Sequence, residues 1–149
     1  MLWTVKKYKM RNQIAFLRNV AIAGVFALSA SSCASQMNFV TSTVVPSAEG
    51  SIKVDKDDNG NYDLRLNVKR LAEPKRLQPS KSVYVVWMNT DKDGIKNLGQ
   101  LKSVTGFFTD AQTASLRTVT PFKPKQIFVT AEDDVNLTNP GTQVVLTTK

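Results

Sequence analysis

Three carboxylates stand in a row at Glu132-Asp133-Asp134, directly after the apolar run Ile127-Phe128-Val129. Paired acids can hydrolyse glycosides, but only when two face each other across a cleft and burial raises the pKa of one. Adjacent acids at a strand exit face solvent, so these predict no catalysis. A second acidic group, Asp55-Lys56-Asp57-Asp58-Asn59-Gly60, fits the opening of a calcium loop, D-x-D-x-N-G. Such a loop needs a bidentate Glu at its twelfth position, where Leu66 stands, and it should run into a helix. A solvated hairpin is the expectation, and Asp91, Asp93 and Gly94 read the same way. There is no histidine, which removes the commonest general base and metal ligand together. Serines and threonines are plentiful, but no Ser-x-x-Lys setting supplies a base to activate one. The sequence predicts a protein that is not an enzyme, with no cofactor and no metal site.

The remaining candidates are charges that bind rather than react. Lys69, Arg70, Lys75, Arg76 and Lys81 gather around a connection bearing Pro74 and Pro79. They suit anionic lipid headgroups or other envelope polyanions, while the blander and favoured reading is a solubilising loop. The chain of 149 residues carries a formal net charge of +8, from 20 basic and 12 acidic residues. Five of the basic ones, Lys6, Lys7, Lys9, Arg11 and Arg18, precede Cys33 with no acid among them. The rest is only weakly basic and lacks a stripe of interleaved Arg and aromatic residues, which argues against nucleic acid as a partner.

That N-terminal stretch reads as an address. A basic region, Lys6 to Arg18, precedes the apolar run Val20–Ala30 (VAIAGVFALSA), too short for a bilayer core of ~30 Å but suited to a signal peptide. Ala30-Ser31-Ser32-Cys33 follows and resembles the bacterial lipobox, whose cysteine receives a diacylglycerol before cleavage. Ala30 stands where that motif usually has Leu. Cys33 is the one cysteine of the chain, so no internal disulfide forms. Two other readings stay open: cleavage after Ala34 to release a soluble secreted protein, or an uncleaved anchor. Met10 is an alternative start to Met1. No acidic residue directly follows Cys33, so the periplasmic face of an outer membrane is the favoured location.

Beyond the cysteine, strand patterns recur between turn signals. Residues 34–47 read as a tether with an edge strand at Thr41–Val45, and 48–149 as one β-domain. Ser51–Val54 alternates, Asn59-Gly60 suits a type I′ turn, and Asn61–Arg70 sets Tyr62, Leu64, Leu66 and Val68 on one face. Ser82–Asn89 (SVYVVWMN) is apolar on both faces, predicting a central strand with Trp87 as an anchor between two sheets. Lys96–Leu101, Thr105–Thr109, Ser115–Thr120, Gln126–Ala131 and Gln143–Thr147 complete the set. The expected fold class is all-β: an immunoglobulin-like antiparallel β-sandwich of seven or eight strands, preceded by the N-terminal signal segment.

Val83–Leu98 with Gly99-Gln100-Leu101, Thr120-Pro121-Phe122, Phe128–Glu132, Asn139-Pro140-Gly141 and Val144-Val145-Leu146 occur in an order that resembles the extracytoplasmic C-terminal domain of anti-sigma-K-type factors. The resemblance spans most of Gly50–Leu146 and implies a fold and an envelope location. Asp133 replaces the proline that follows the Glu in that family, and its sigma-binding helical region and transmembrane helix have no counterpart here. The expected function is a non-catalytic envelope lipoprotein carrying an interaction or accessory module, whose partners are the membrane, through its lipid, and an envelope protein. The alternative is a regulatory domain acting in trans on a membrane anti-sigma-type partner. The expected binding surfaces are the Leu71–Lys81 connection and the Glu132–Gly141 loop.

Overall fold

A computed structural model describes residues 35–104 and 112–149. Cys33 and the Thr105–Thr109 segment lie outside the described residues. Among the described residues nine strands follow one another: β1 Ser35–Asn38, β2 Glu49–Lys56, β3 Tyr62–Lys69, β4 Val83–Thr90, β5 Ile95–Gln100, β6 Lys102–Val104, β7 Thr113–Thr120, β8 Pro124–Glu132 and β9 Val144–Thr147. They form two antiparallel sheets, ordered β1-β2-β3-β7-β6 and β5-β4-β8-β9. Hairpins that alternate between sheets in this order give the immunoglobulin-like sandwich, with β1 added outside β2.

The alternation of β2 and β3 explains the first sheet. Ile52, Val54, Leu64, Leu66 and Val68 point inward and are buried, while Lys53, Arg65, Asn67 and Lys69 point outward. From the second sheet, Tyr84, Val86, Met88, Ile127, Val129, Ala131 and Leu146 meet them in one core. Each large apolar side chain so buried is worth about 1.5–3 kcal/mol over leaving it in water. On the outer face of the first sheet Asp63 lies between Arg65 and Arg117. Hydrogen bonds from the Arg117 guanidinium lead in holding its carboxyl below the ordinary aspartate value.

Two local expectations are corrected. The edge strand falls at Ser35–Asn38, and Thr41–Val45 is not a strand. Residues 39–45 instead leave β1 and cross to the far sheet. The Phe39 N–H still donates to Gly50 (3.2 Å), whereas Val40 donates to the Thr147 carbonyl (2.9 Å) and the Ser42 hydroxyl to that of Val145 (2.5 Å). The β2–β3 turn is not type I′, which needs positive φ at two central residues, since only Gly60 has it (φ 85). Asp57 is the reason: its carboxylate accepts the N–H groups of Asn59 (2.9 Å) and Asn61 (2.8 Å), organising a longer loop. The Asn61 side chain also donates to it and leads in holding its carboxyl below the usual aspartate value. Asp57 thus serves the turn, and among the described residues no group of three His, Cys, Asp or Glu is placed to hold a metal ion.

Gly50 marks where the chain crosses. A Cβ there would stand 2.9 Å from the Asn67 carbonyl oxygen and 2.9 Å from the Phe39 ring. Backbone cannot yield as a side chain does, so Gly50→Ala is expected to lower stability by about 1–3 kcal/mol in urea titration, with no change of fold.

Candidate functional site

The two segments expected to bind meet at one end of the second sheet. The first, Leu71–Lys81, contains a single turn of 3-10 helix at Pro74–Arg76 and a cis peptide bond at Gln78-Pro79. Tyr84 holds its start from β4: the hydroxyl donates to the Ala72 carbonyl (2.8 Å), and burial pushes its pKa up to about 12. The Ser82 N–H donates to the Glu132 carbonyl (2.9 Å), and the Lys81 ammonium reaches Asp133 (2.7 Å). The second segment, the β8–β9 loop, therefore begins against the end of the first.

Glu132 is the centre of this junction. It is 5% exposed and ends a row on the outer face of β8 formed by Phe128, Thr130 and Glu132. The Trp87 indole N–H donates to the Thr130 hydroxyl (2.8 Å), which donates to Glu132 Oε1 (2.5 Å). The Gly141 N–H closes on the same oxygen (2.7 Å). A hydroxyl can accept one bond and donate another, so Thr130 relays the indole to one oxygen of the carboxylate. Gly141 is required by proximity, because a Cβ there would come 2.6 Å from Glu132 Oε2.

This row corrects the placing of Trp87. Its neighbours in sequence, Val86 and Met88, face the core between the sheets, so alternation turns Trp87 outward, alongside Thr130 and Asn97. It is nonetheless fully buried. The cover is the β8–β9 loop, which runs over β4 to β5, where the Asn97 amide donates to the carbonyls of Val135 (2.9 Å) and Leu137 (3.0 Å). It then returns to Glu132 through Gly141. The second sheet thus has a small apolar layer on its outer face as well as its inner one.

The charged candidates are dispersed. Lys69 lies on the outer face of the first sheet, and Arg70 (φ 55) pairs with Glu49 and donates to the Ser47 carbonyl (3.1 Å). Lys75 and Arg76 sit on the exposed helical turn, with Arg76 3.7 Å from Glu73. Asp134 caps its own turn by accepting the Asn136 N–H (2.9 Å). Glu132, Asp133 and Asp134 therefore engage three different partners. Only Lys81, Glu132 and Asp133 come together.

A pocket of about 640 Å³ opens beside them, lined by Val44, Gln78, Pro79, Lys81, Ala131, Glu132, Gly141, Thr142, Gln143 and Val144. Gln78, Gly141 and Gln143 are contributions that charge alone did not disclose. One signal was legible: Thr130 and Glu132 alternate with Val129 and Ala131, placing a polar pair on the face opposite the core. No family model, no curated protein and no solved structure matches this chain.

Proposed function

We propose that the chain is a non-catalytic lipoprotein of the bacterial cell envelope, anchored through Cys33, whose β-sandwich is an interaction module. The observation that carries the reading is the order of the N-terminal signals: basic stretch, short apolar run, small residues, then the chain's one cysteine. Ser35, the first residue of β1, follows that cysteine by two positions. At ~3.3–3.6 Å per residue, an acylated Cys33 would hold the sandwich close against the membrane surface. Two or three acyl chains, at ~0.8 kcal/mol per buried methylene, make such an anchor stable. The junction of Lys81, Glu132 and Asp133 with its pocket is the binding surface of this reading, because pockets that join apolar walls to a few convergent polar groups are where ligands are held.

Cell fractionation tests the anchor. Wild type is expected in the membrane fraction, released only by detergent, with Cys33→Ala moving to the soluble fraction. Equal fractionation of both would overturn it. A second reading, a regulatory domain acting in trans on a membrane anti-sigma-type partner, draws on the order of motifs between Val83 and Leu146. Crosslinking in intact cells separates the two by the partner recovered.

A further inference from the structure

We infer that the pocket between the Gln78-Pro79 bend and β9 binds a primary alkylammonium group, such as a lysine side chain or a free diamine. Two acceptors without donors belong to its lining residues, Glu132 and Gln143. Glu132 Oε1 already takes the Thr130 hydroxyl and the Gly141 N–H, while Oε2 receives no donor from the described residues. Gln143 Oε1 is buried with no hydrogen-bond partner, and the Gln143 amide nitrogen faces the Pro79 carbonyl at 3.5 Å, which turns the oxygen away from that group. A buried acceptor left unpaired is costly, and Gln143 Oε1 together with a carboxylate oxygen that receives no donor asks for a ligand that donates to both.

The walls say what carries that donor. Val44 and Val144 are among the few large apolar side chains left exposed, at 38% and 42% respectively, and both line the pocket with Pro79 and Ala131. They offer an apolar channel to an alkyl stem. A guanidinium fits less well, because its planar fork seeks both oxygens of a carboxylate and Oε1 is already occupied. An ammonium is a compact donor that can serve one carboxylate oxygen and one amide oxygen together. The cation that lines the pocket does not fill the place: the Lys81 ammonium is held by Asp133 at 2.7 Å, and no ion pair among the described residues involves Glu132.

The inference rests on the junction being a binding surface and is independent of Cys33. Its test uses the full chain in detergent, labelled with nitrogen-15, and follows the Gly141 amide and the Trp87 indole N–H, the latter told from Trp3 by a Trp3→Phe variant. The probes are n-pentylammonium chloride and, as an uncharged control, n-pentanol. The amine is expected to give saturable shifts at both reporters, with the alcohol weaker by roughly tenfold or more. Glu132→Gln keeps an oxygen for Thr130 and Gly141 but is expected to weaken amine binding roughly tenfold. Gln143→Leu, which leaves the Glu132 bonds intact, should weaken it severalfold. Lysine with both backbone groups blocked, compared with 1,5-diaminopentane, tells a protein-borne from a free source; saturable binding of either supports the site. Equal effects of amine and alcohol, or binding untouched by both substitutions in folded protein, would overturn the inference. Membrane release of Cys33→Ala alongside failed amine binding would sink the pocket alone, and the converse would sink the anchor alone.

Discussion

Trp87→Ala is expected to lower the free energy of unfolding by about 3–5 kcal/mol, the range for removing a fully buried large aromatic side chain. The indole is buried, hydrogen-bonded to Thr130, and covered by the β8–β9 loop on the outer face of the second sheet. The location makes the effect uneven. Hydrogen exchange should accelerate first in residues 133–141, which lose the layer they rest on, while β2 and β3 of the first sheet keep protection until global unfolding. If the amides of β2 and β3 lost protection as early as those of the loop, Trp87 would be acting between the sheets and the outer-face placement would fail. Urea titration supplies the total and exchange supplies its distribution.

Glu132→Ala ranks next, at about 2–4 kcal/mol, because it strips a buried acceptor from two donors at once. The Thr130 hydroxyl and the Gly141 N–H both lose their partner, and the indole of Trp87 is left bonded to a hydroxyl that has nowhere to donate. Glu132→Gln, which retains one oxygen for the same donors, should cost no more than about 1 kcal/mol. A Glu132→Ala protein as stable as the Gln variant would show that the relay contributes nothing, and with it would go the account of how the loop is held.

The strands were legible because their periods are local. Tyr62, Leu64, Leu66 and Val68 declare an inner face by alternation alone, and the structure turns that face to the core. The double-sided apolarity of Ser82–Asn89 foretold burial on both faces, but nothing within those residues says what lies on each. A sheet and a returning loop bury a tryptophan equally well, and only the tertiary path of residues 133–141 decides between them. The turn at Asn59-Gly60 misled for the opposite reason: the dipeptide has a strong preference of its own, and a carboxylate two residues earlier overrode it. The pocket was beyond reach of either kind of argument. Val44, Gln78, Glu132 and Gln143 come from four separated stretches of chain, and the acceptor on Gln143 becomes conspicuous only once its surroundings are known to withhold a donor.

The path of residues 39–45 also governs self-association. β9 is the last strand of its sheet, and Val144-Val145-Leu146-Thr147 is the kind of β-branched, uncharged segment that recruits a further strand when its outer hydrogen-bonding groups are bare. Val40 and Ser42 occupy the carbonyls of Thr147 and Val145 on that side, so the chain's own leading segment guards the edge against copies of itself. The guard belongs to the most N-terminal part of the fold and the strand it protects to the most C-terminal. The edge is thus closed by residues of the same chain rather than by a partner strand.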